Sequence, residues 1–439
     1  MVGALIKDVA MKNKGIILLD VFFLCLVFLL ANIRSIVYWG LFPPVYSFSD
    51  PGWREIVFWL VSFALMIFLL GKYNLYHSYV RVWQGQPILV VLILYSLFSV
   101  FWSTSWMVTL HRSLSFLFAT SIAIYIGTRY SINRLFFILV IVGVTVLLAS
   151  YISIFLLPKA GTDLNPPYNG AWRGIFWHKN HFGNILPIFI LVCIIRMVSV
   201  GSFDYLDKII TATCYVLAFV AVVFSKSASG YILLLLLHLA FGACYLWLKV
   251  RSRLLTRHYQ FLLIVAGVFG VIAMVYANSI LSLFGKDITL TGRIPMWEIL
   301  FRETFHLNPW FGHGFGTIWA NESFRYYMRD LAGWAYPIMI GDNGFIDILL
   351  NLGIVGLMIF MYFYGKSWVD SVRYFLRDPK IENFFPFLFL FYTLLANITF
   401  SLFFETEVFI WIIIVAVSSI CHREGDEWVV TTSFVPSSS

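Results

Sequence analysis

What most constrains this chain is a succession of apolar stretches, each close to the length that crosses a bilayer. A membrane-spanning helix needs about 20 apolar residues, within a range near 17–25. Stretches that meet or approach this lie near residues 15–34, 54–71, 87–102, 113–128, 135–157, 183–199, 209–225, 230–248, 260–283, 344–364, 384–401 and 407–421, which makes about twelve. Hydrophobic residues form 61% of the chain and charged ones only 12%, whereas a soluble domain carries roughly 25% charged residues. The expected fold is therefore all-α: one polytopic integral membrane domain over residues 1–439.

The formal net charge of +8 is spread over the connectors, with no basic stripe and no nucleic-acid motif, so nucleic acid is excluded as a partner. Lys and Arg in short loops mark the cytoplasmic side. Lys72, Arg129, Arg134, Arg196, Lys249, Lys366 and Arg377 fall on the same side as Lys7, Lys12 and Lys14. That side is expected to be the cytoplasm, with both termini there and 421–439 as a tail. Ile16–Ile33 reads as an uncleaved signal anchor. The two longest outward loops are 158–182 and 284–343. Cys25, Cys193, Cys214, Cys244 and Cys421 lie in apolar runs or the tail, so neither a disulfide framework nor a zinc spacing is expected.

Loop 284–343 is the largest place for aqueous chemistry. Ile294, Trp297, Phe301 and Phe305 recur at helical spacing, which predicts an amphipathic helix lying on the membrane surface. Asn321–Leu331 reads as a second, with Phe324, Met328 and Leu331 inward.

Several groups in these loops admit both a functional and a plain reading. Arg173, His178, Lys179, Asn180 and His181 crowd the threshold of one span. They suit a phosphorylated lipid, and they equally suit anchoring to headgroups. Arg293 opens the first surface helix, where a cation is mildly disfavoured; it is either part of an anion site or a solvated side chain. Arg302 follows on the same helix. Asn308–Gly316 is dense in glycine without being a phosphate-binding fingerprint, and reads as a tight turn pressed on the membrane body, with His313 inside it. Asp342 stands before Asn343 where the chain re-enters the membrane, either as a helix N-cap or as a general base at the water–lipid boundary. Lys226 lies in a hydroxyl-rich outward turn, Ser225–Ser229. No metal ligands and no cofactor are expected. A transporter would carry ionisable residues near mid-membrane, yet Asp20 and His238 are the exceptions within the apolar runs.

In sequence order, R-G-I-F-W-H-K-N-H-F-G-N at Arg173–Asn184, S-K-S-A-S-G at Ser225–Gly230, T-G-R-I-P-M-W at Thr291–Trp297, N-P-W-F-G-H-G-F-G at Asn308–Gly316 and D-N-G-F at Asp342–Phe345 resemble the O-antigen ligase and Wzy-type polymerase superfamily, and within it the ExoQ-like exopolysaccharide polymerases. The resemblance covers about Trp102 to Gly356. It implies a GT-C-like, inverting, metal-independent glycosyltransferase in the bacterial inner membrane, with its site on the outer face. Its partners would be a polyprenyl-diphosphate-linked oligosaccharide and the lipid bilayer, with a chain-length regulator and export machinery beside it. It assigns the diphosphate to Arg173 and Arg293. The family often has His-Asn where this chain has Asp342-Asn343, which puts Asp342 forward as base. Transfer to a lipid A core or protein acceptor (ligation) is the alternative, and a polysaccharide-lipid flippase a lesser one.

Overall fold

The computed structural model describes residues 22–28, 53–163, 169–176, 178–199, 205–250, 293–333, 337–403 and 408–433. Among these the chain is nearly all helix, with one antiparallel pair of two-residue strands, β1 (Thr162–Asp163) and β2 (Ala171–Trp172). The helices are α1 (Trp53–Lys72), α2 (Tyr76–Gln84), α3 (Pro87–Phe98), α4 (Trp106–Arg129), α5 (Ile132–Leu156), α6 (Lys179–Val198), α7 (Tyr205–Phe224), α8 (Ala228–Val250), α9 (Arg293–Glu303), α10 (Glu322–Ala332), α11 (Gly344–Arg377), α12 (Phe385–Thr399) and α13 (Val408–Ser433).

Ten of the expected spans meet a described helix. The span near 15–34 is described only over 22–28, which is helical, and that near 260–283 lies outside the described residues. Among the described residues the number twelve is not reached. Six described helices are long and apolar enough to cross a bilayer, or seven if α1 and α2, bent 116° apart, count as one span. Pro87–Trp102, Lys208–Phe224 and Val408–Arg423 are apolar but shorter. Shortness has a physical counterpart in α13, whose run from Phe409 to Val417 is at most 1% exposed. A helix apolar all round is a core helix. Its far end runs on to Ser433, so the expected tail begins as helix.

Two helices form the middle of the bundle. α13 packs on α4, α11 and α12, and α6 on α5, α7, α8 and α12. Trp411 of α13 sits against Phe116 with ring centroids 4.9 Å apart, and its indole N–H donates to Thr120 Oγ1 at 2.9 Å. At the other end of α4, Arg423 donates to the carbonyls of Gly127, Thr128 and Tyr130. A cation on the last free carbonyls complements the helix dipole, worth about 0.3–1 kcal/mol. α6 is buried along almost its whole length, so its N-terminal residues stand at the centre of one end of the bundle.

The glycine-rich turn Asn308–Gly316 is docked into a break in α11. Gly353 has φ 66°, ψ −170°, which interrupts the helix ladder. The freed groups are taken up by the turn: His313 N donates to Leu350 O (3.0 Å) and Gly314 N to Asn351 O (3.0 Å). In return Ile354 N donates to Pro309 O (2.9 Å) and Val355 N to Trp310 O (3.1 Å). A Cβ at Gly312 would lie 2.5 Å from Asn351 backbone, and one at Gly353 2.3 Å from Trp310 backbone. Only paired glycines allow this approach.

Both surface helices of the long loop form, with one face different from the reading above. On α9 the buried residues are Met296 and Leu300, while Ile294 and Phe301 are exposed. On α10 Met328 and Arg325 are buried and Leu331 is exposed. Apolar residues stand on the exposed as well as the buried sides of these helices, so hydropathy alone marks two faces. Asn321 caps α10 through Phe324 N at 3.0 Å, and Gly333 ends it in the left-handed region.

Candidate active site

The re-entry of the long loop is built by two adjacent residues with separate tasks. Asn343, not Asp342, is the N-cap of α11: its Oδ1 accepts from Phe345 N (3.0 Å) and Ile346 N (3.2 Å), and its Nδ2 donates to Ile398 O (3.1 Å). This corrects the capping reading of Asp342. Asp342 has φ 49°, a conformation Asp tolerates better than most residues, and it turns its carboxylate to Arg293. Arg293 Nε and Asp342 Oδ2 are 3.1 Å apart, with side chains 14% and 18% exposed. One turn along α9, Trp297 Nε1 donates to Gly341 O at 2.7 Å. Positions i and i+4 of one helix face thus hold the segment entering α11.

The other loop reaches the first turn of α6. Arg173 follows β2, and its guanidinium donates to the carbonyls of Ala160 (2.9 Å) and Lys159 (3.1 Å), with Asp163 of β1 at 3.6 Å. His178 is the N-cap of α6, its Nδ1 accepting from Asn180 N at 3.2 Å. Lys179 is buried and donates to Lys226 O at 2.6 Å. Lys226, at φ 50°, passes its own Nζ to Asn169 O at 3.1 Å. The hydroxyl-rich turn docks on the same helix: Ser227 donates to Asn180 Oδ1 (3.2 Å) and Ser229 to Asn184 Oδ1 (3.1 Å). A Cβ at Gly230 would meet Gly183 O at 2.8 Å, so the two helices approach through small residues.

The electrostatics bring these two regions together. Burial above all, then the positive surroundings of His181, Lys179, Arg293 and Arg173, push the His178 imidazole down to about 3. Arg173 and Arg293, from loops 120 residues apart (293 − 173), therefore bear on one histidine. Asp163 is pushed up by burial, against the opposing pull of Arg173 and Lys179. Two mostly buried arginines, Arg173 beside Asp163 and Arg293 beside Asp342, thus both act on His178.

The remaining expected residues lie differently. His181 is fully buried, its ring edge-on to Phe400 with centroids 4.6 Å apart. His313 is buried in the glycine turn, Nε2 at 3.1 Å from Thr304 O, where burial lowers its pKa. Arg302 points outward and pairs with Glu303 at 2.9 Å, which also accepts from Tyr327 at 3.1 Å. These two are fastened within the long loop itself. Asp163, Trp297 and Asp347 were not among the expected site residues. Asp163 had a signal, a lone carboxylate in the shorter cationic loop. Asp347 had none, since its partners come from Trp319, Gly341 and Ser401.

Residues 213–361 match a family described as O-antigen ligase. That stretch contains Lys226, Arg293, His313 and Asp342 and leaves Arg173 and His178 outside. Over 137 residues the chain is 31% identical to the exopolysaccharide production protein ExoQ of Rhizobium meliloti (strain 1021). The aligned part covers 28% of this chain and 30% of that protein, so the chain spans less than a third of the length of the curated relative it matches. In a chain with several apolar helices long enough to cross a membrane, that stretch is therefore similar to the O-antigen ligase family and, over 137 residues, to an exopolysaccharide production protein.

Proposed function

We propose that the protein is a polysaccharide polymerase that joins polyprenyl-diphosphate-linked repeat units at the outer face of the bacterial inner membrane. The observation that supports this most is the mostly buried Arg293–Asp342 ion pair, 3.1 Å apart, with Arg293 and Arg173 both lowering the proton affinity of His178. A departing diphosphate gains negative charge, and fixed cations stabilise it without reorganisation. The ion pair of Arg293 engages Nε and Asp342 Oδ2. Its terminal guanidinium nitrogens are then the bidentate fork for phosphate oxygens. Asp342 Oδ1 faces an acceptor hydroxyl and takes its proton. The hydroxyl oxygen bonds to the anomeric carbon from the side opposite the diphosphate, and the carbon–oxygen bond to the diphosphate breaks with its electron pair on the leaving group. The anomeric centre is thereby inverted.

The test uses the full chain in lipid nanodiscs with a polyprenyl-diphosphate oligosaccharide. Arg173→Ala and Arg293→Ala should each abolish chain growth, and Arg→Lys should restore only part of it. Full activity in either alanine variant removes that residue from the site. Ligation to a lipid or protein acceptor is the second reading, favoured by the description of the matched family.

A further inference from the structure

Asp347 is 6% exposed, and a carboxylate taken out of water must be met by donors. Three converge on it from three segments. Trp319 Nε1 donates to Oδ1 at 2.7 Å, the Gly341 amide donates to Oδ1 at 3.0 Å, and the Ser401 hydroxyl donates to Oδ2. The Gly341 carbonyl is held from the other side by Trp297. Both peptide groups flanking Gly341 are thus held, and the second of them leads into Asp342, whose φ is 49°. The fit is close: a Cβ at Gly341 would lie 2.6 Å from Asp347 Oδ1. Ser401 follows Phe400, the ring that packs on His181 of α6. One buried carboxylate therefore links the turn before Asp342 to the segment that packs on α6.

We infer that Asp347 is a positioning residue, whose charge holds the Gly341–Asp342 turn so that Asp342 meets Arg293 in the geometry of the transfer. This rests on the reading of Arg293 and Asp342 given above. Asp347→Asn keeps the shape but exchanges one acceptor oxygen for a donor that faces donors. In nanodiscs it should lower kcat at least about tenfold while the KM for the lipid-linked donor stays within about threefold, because the ground-state cations are untouched. Hydrogen exchange should rise at least about tenfold over residues 338–346 and stay unchanged over α6 and α13. Trp319→Phe, which removes one donor and leaves the charge, should do the same more weakly. Wild-type kcat in Asp347→Asn overturns the inference, and so does exchange that rises throughout the bundle. The exchange readout does not depend on activity. If Arg293→Ala is active while Asp347→Asn still loosens residues 338–346, the catalytic reading fails and the holding role stands.

Discussion

Arg293 and Asp342 meet Nε to Oδ2 at 3.1 Å across 49 residues of chain, while the neighbouring Asn343 caps the helix that follows. Carboxylate and cap are thus separable by mutation. Asn343→Ala should cost about 1 kcal/mol of stability and leave most activity in place. Asp342→Asn should leave stability near normal and reduce the rate of chain growth roughly 10²–10⁴-fold. Initial rates and thermal unfolding of the two variants, measured side by side, decide the matter; an Asp342→Asn enzyme at wild-type rate shifts the proton to another acceptor.

The apolar helices were legible, though not how many of them cross the membrane, because hydropathy over about 20 residues reports burial whatever the tertiary fold. The glycine turn was legible too, because glycines at Gly312, Gly314 and Gly316 admit few conformations other than a tight turn. Finer features were not. Asp and Asn cap equally well, so the assignment to Asn343 rests on Arg293, a residue 50 positions away (343 − 293). The buried face of α9 at Met296 and Leu300 was masked by Ile294 and Phe301 facing outward. Asp347 lies inside an apolar run, and nothing local marks the three segments that close on it.

Gly312 and Gly353 offer a test of how the long loop is fixed. Gly353→Ala or Gly312→Ala places a Cβ within 2.3–2.5 Å of backbone, at positive φ, and should destabilise by at least about 2 kcal/mol. Gly365→Ala, with nothing within 4 Å of its Cβ, is the control and should be neutral or slightly stabilising. Melting temperatures in detergent distinguish them. Equal behaviour of the three would mean that the turn is not seated in the break of α11.

His178 gives a pH dependence with a definite sign. Its proton affinity is lowered in the folded chain, from near 6.5 to about 3. Below pH 6.5 the unfolded chain therefore binds a proton that the folded chain does not, so stability falls as pH drops from about 6.5 toward 3. His178→Asn, which still caps α6, should lose less stability between pH 7.5 and pH 4.5 than the wild type. Between pH 6.5 and 8 the two activity profiles should have the same shape, since His178 stays neutral there. A titration near pH 6.5 that vanishes in His178→Asn would contradict the crowding by Lys179, Arg173 and Arg293.

The proposed orientation makes opposite forecasts for the two ends of α11. The helix has 34 residues, about 50 Å at 1.5 Å each before allowing for the break, against a hydrocarbon core of about 30 Å. In a chain with its five cysteines replaced, Asp330→Cys on α10 should react with an impermeant thiol reagent added outside. Asp378→Cys beyond the end of α11 should react only after the membrane is opened. Both side chains are more than half exposed, so a failure to label reports sidedness. The reverse pattern would move Arg293 and Asp342 to the cytoplasmic face and remove the polymerase reading with them.

Polymerisation and ligation begin with the same donor and part at the acceptor. A polymerase takes a second polyprenyl-linked glycan, so two lipid diphosphates must be accommodated, whereas a ligase needs one such site and a surface for a different acceptor. The cations that act together on His178 are Lys179, Arg293 and Arg173, while Arg302 is tied to Glu303 on the outer side of α9. If the cations acting on His178 take the departing diphosphate, as proposed, the acceptor's diphosphate is met elsewhere, with Arg302 of α9 and Arg329 of α10, which is paired with Asp330, as the candidates. Arg302→Glu combined with Arg329→Glu should then raise the KM for a lipid-diphosphate acceptor severalfold and leave the donor KM unchanged. A neutral acceptor of the same sugar should be indifferent to the change. In cells, loss of the gene should leave single repeat units and remove the long chains. Accumulation of full-length polymer on its polyprenyl carrier would instead assign the protein to ligation.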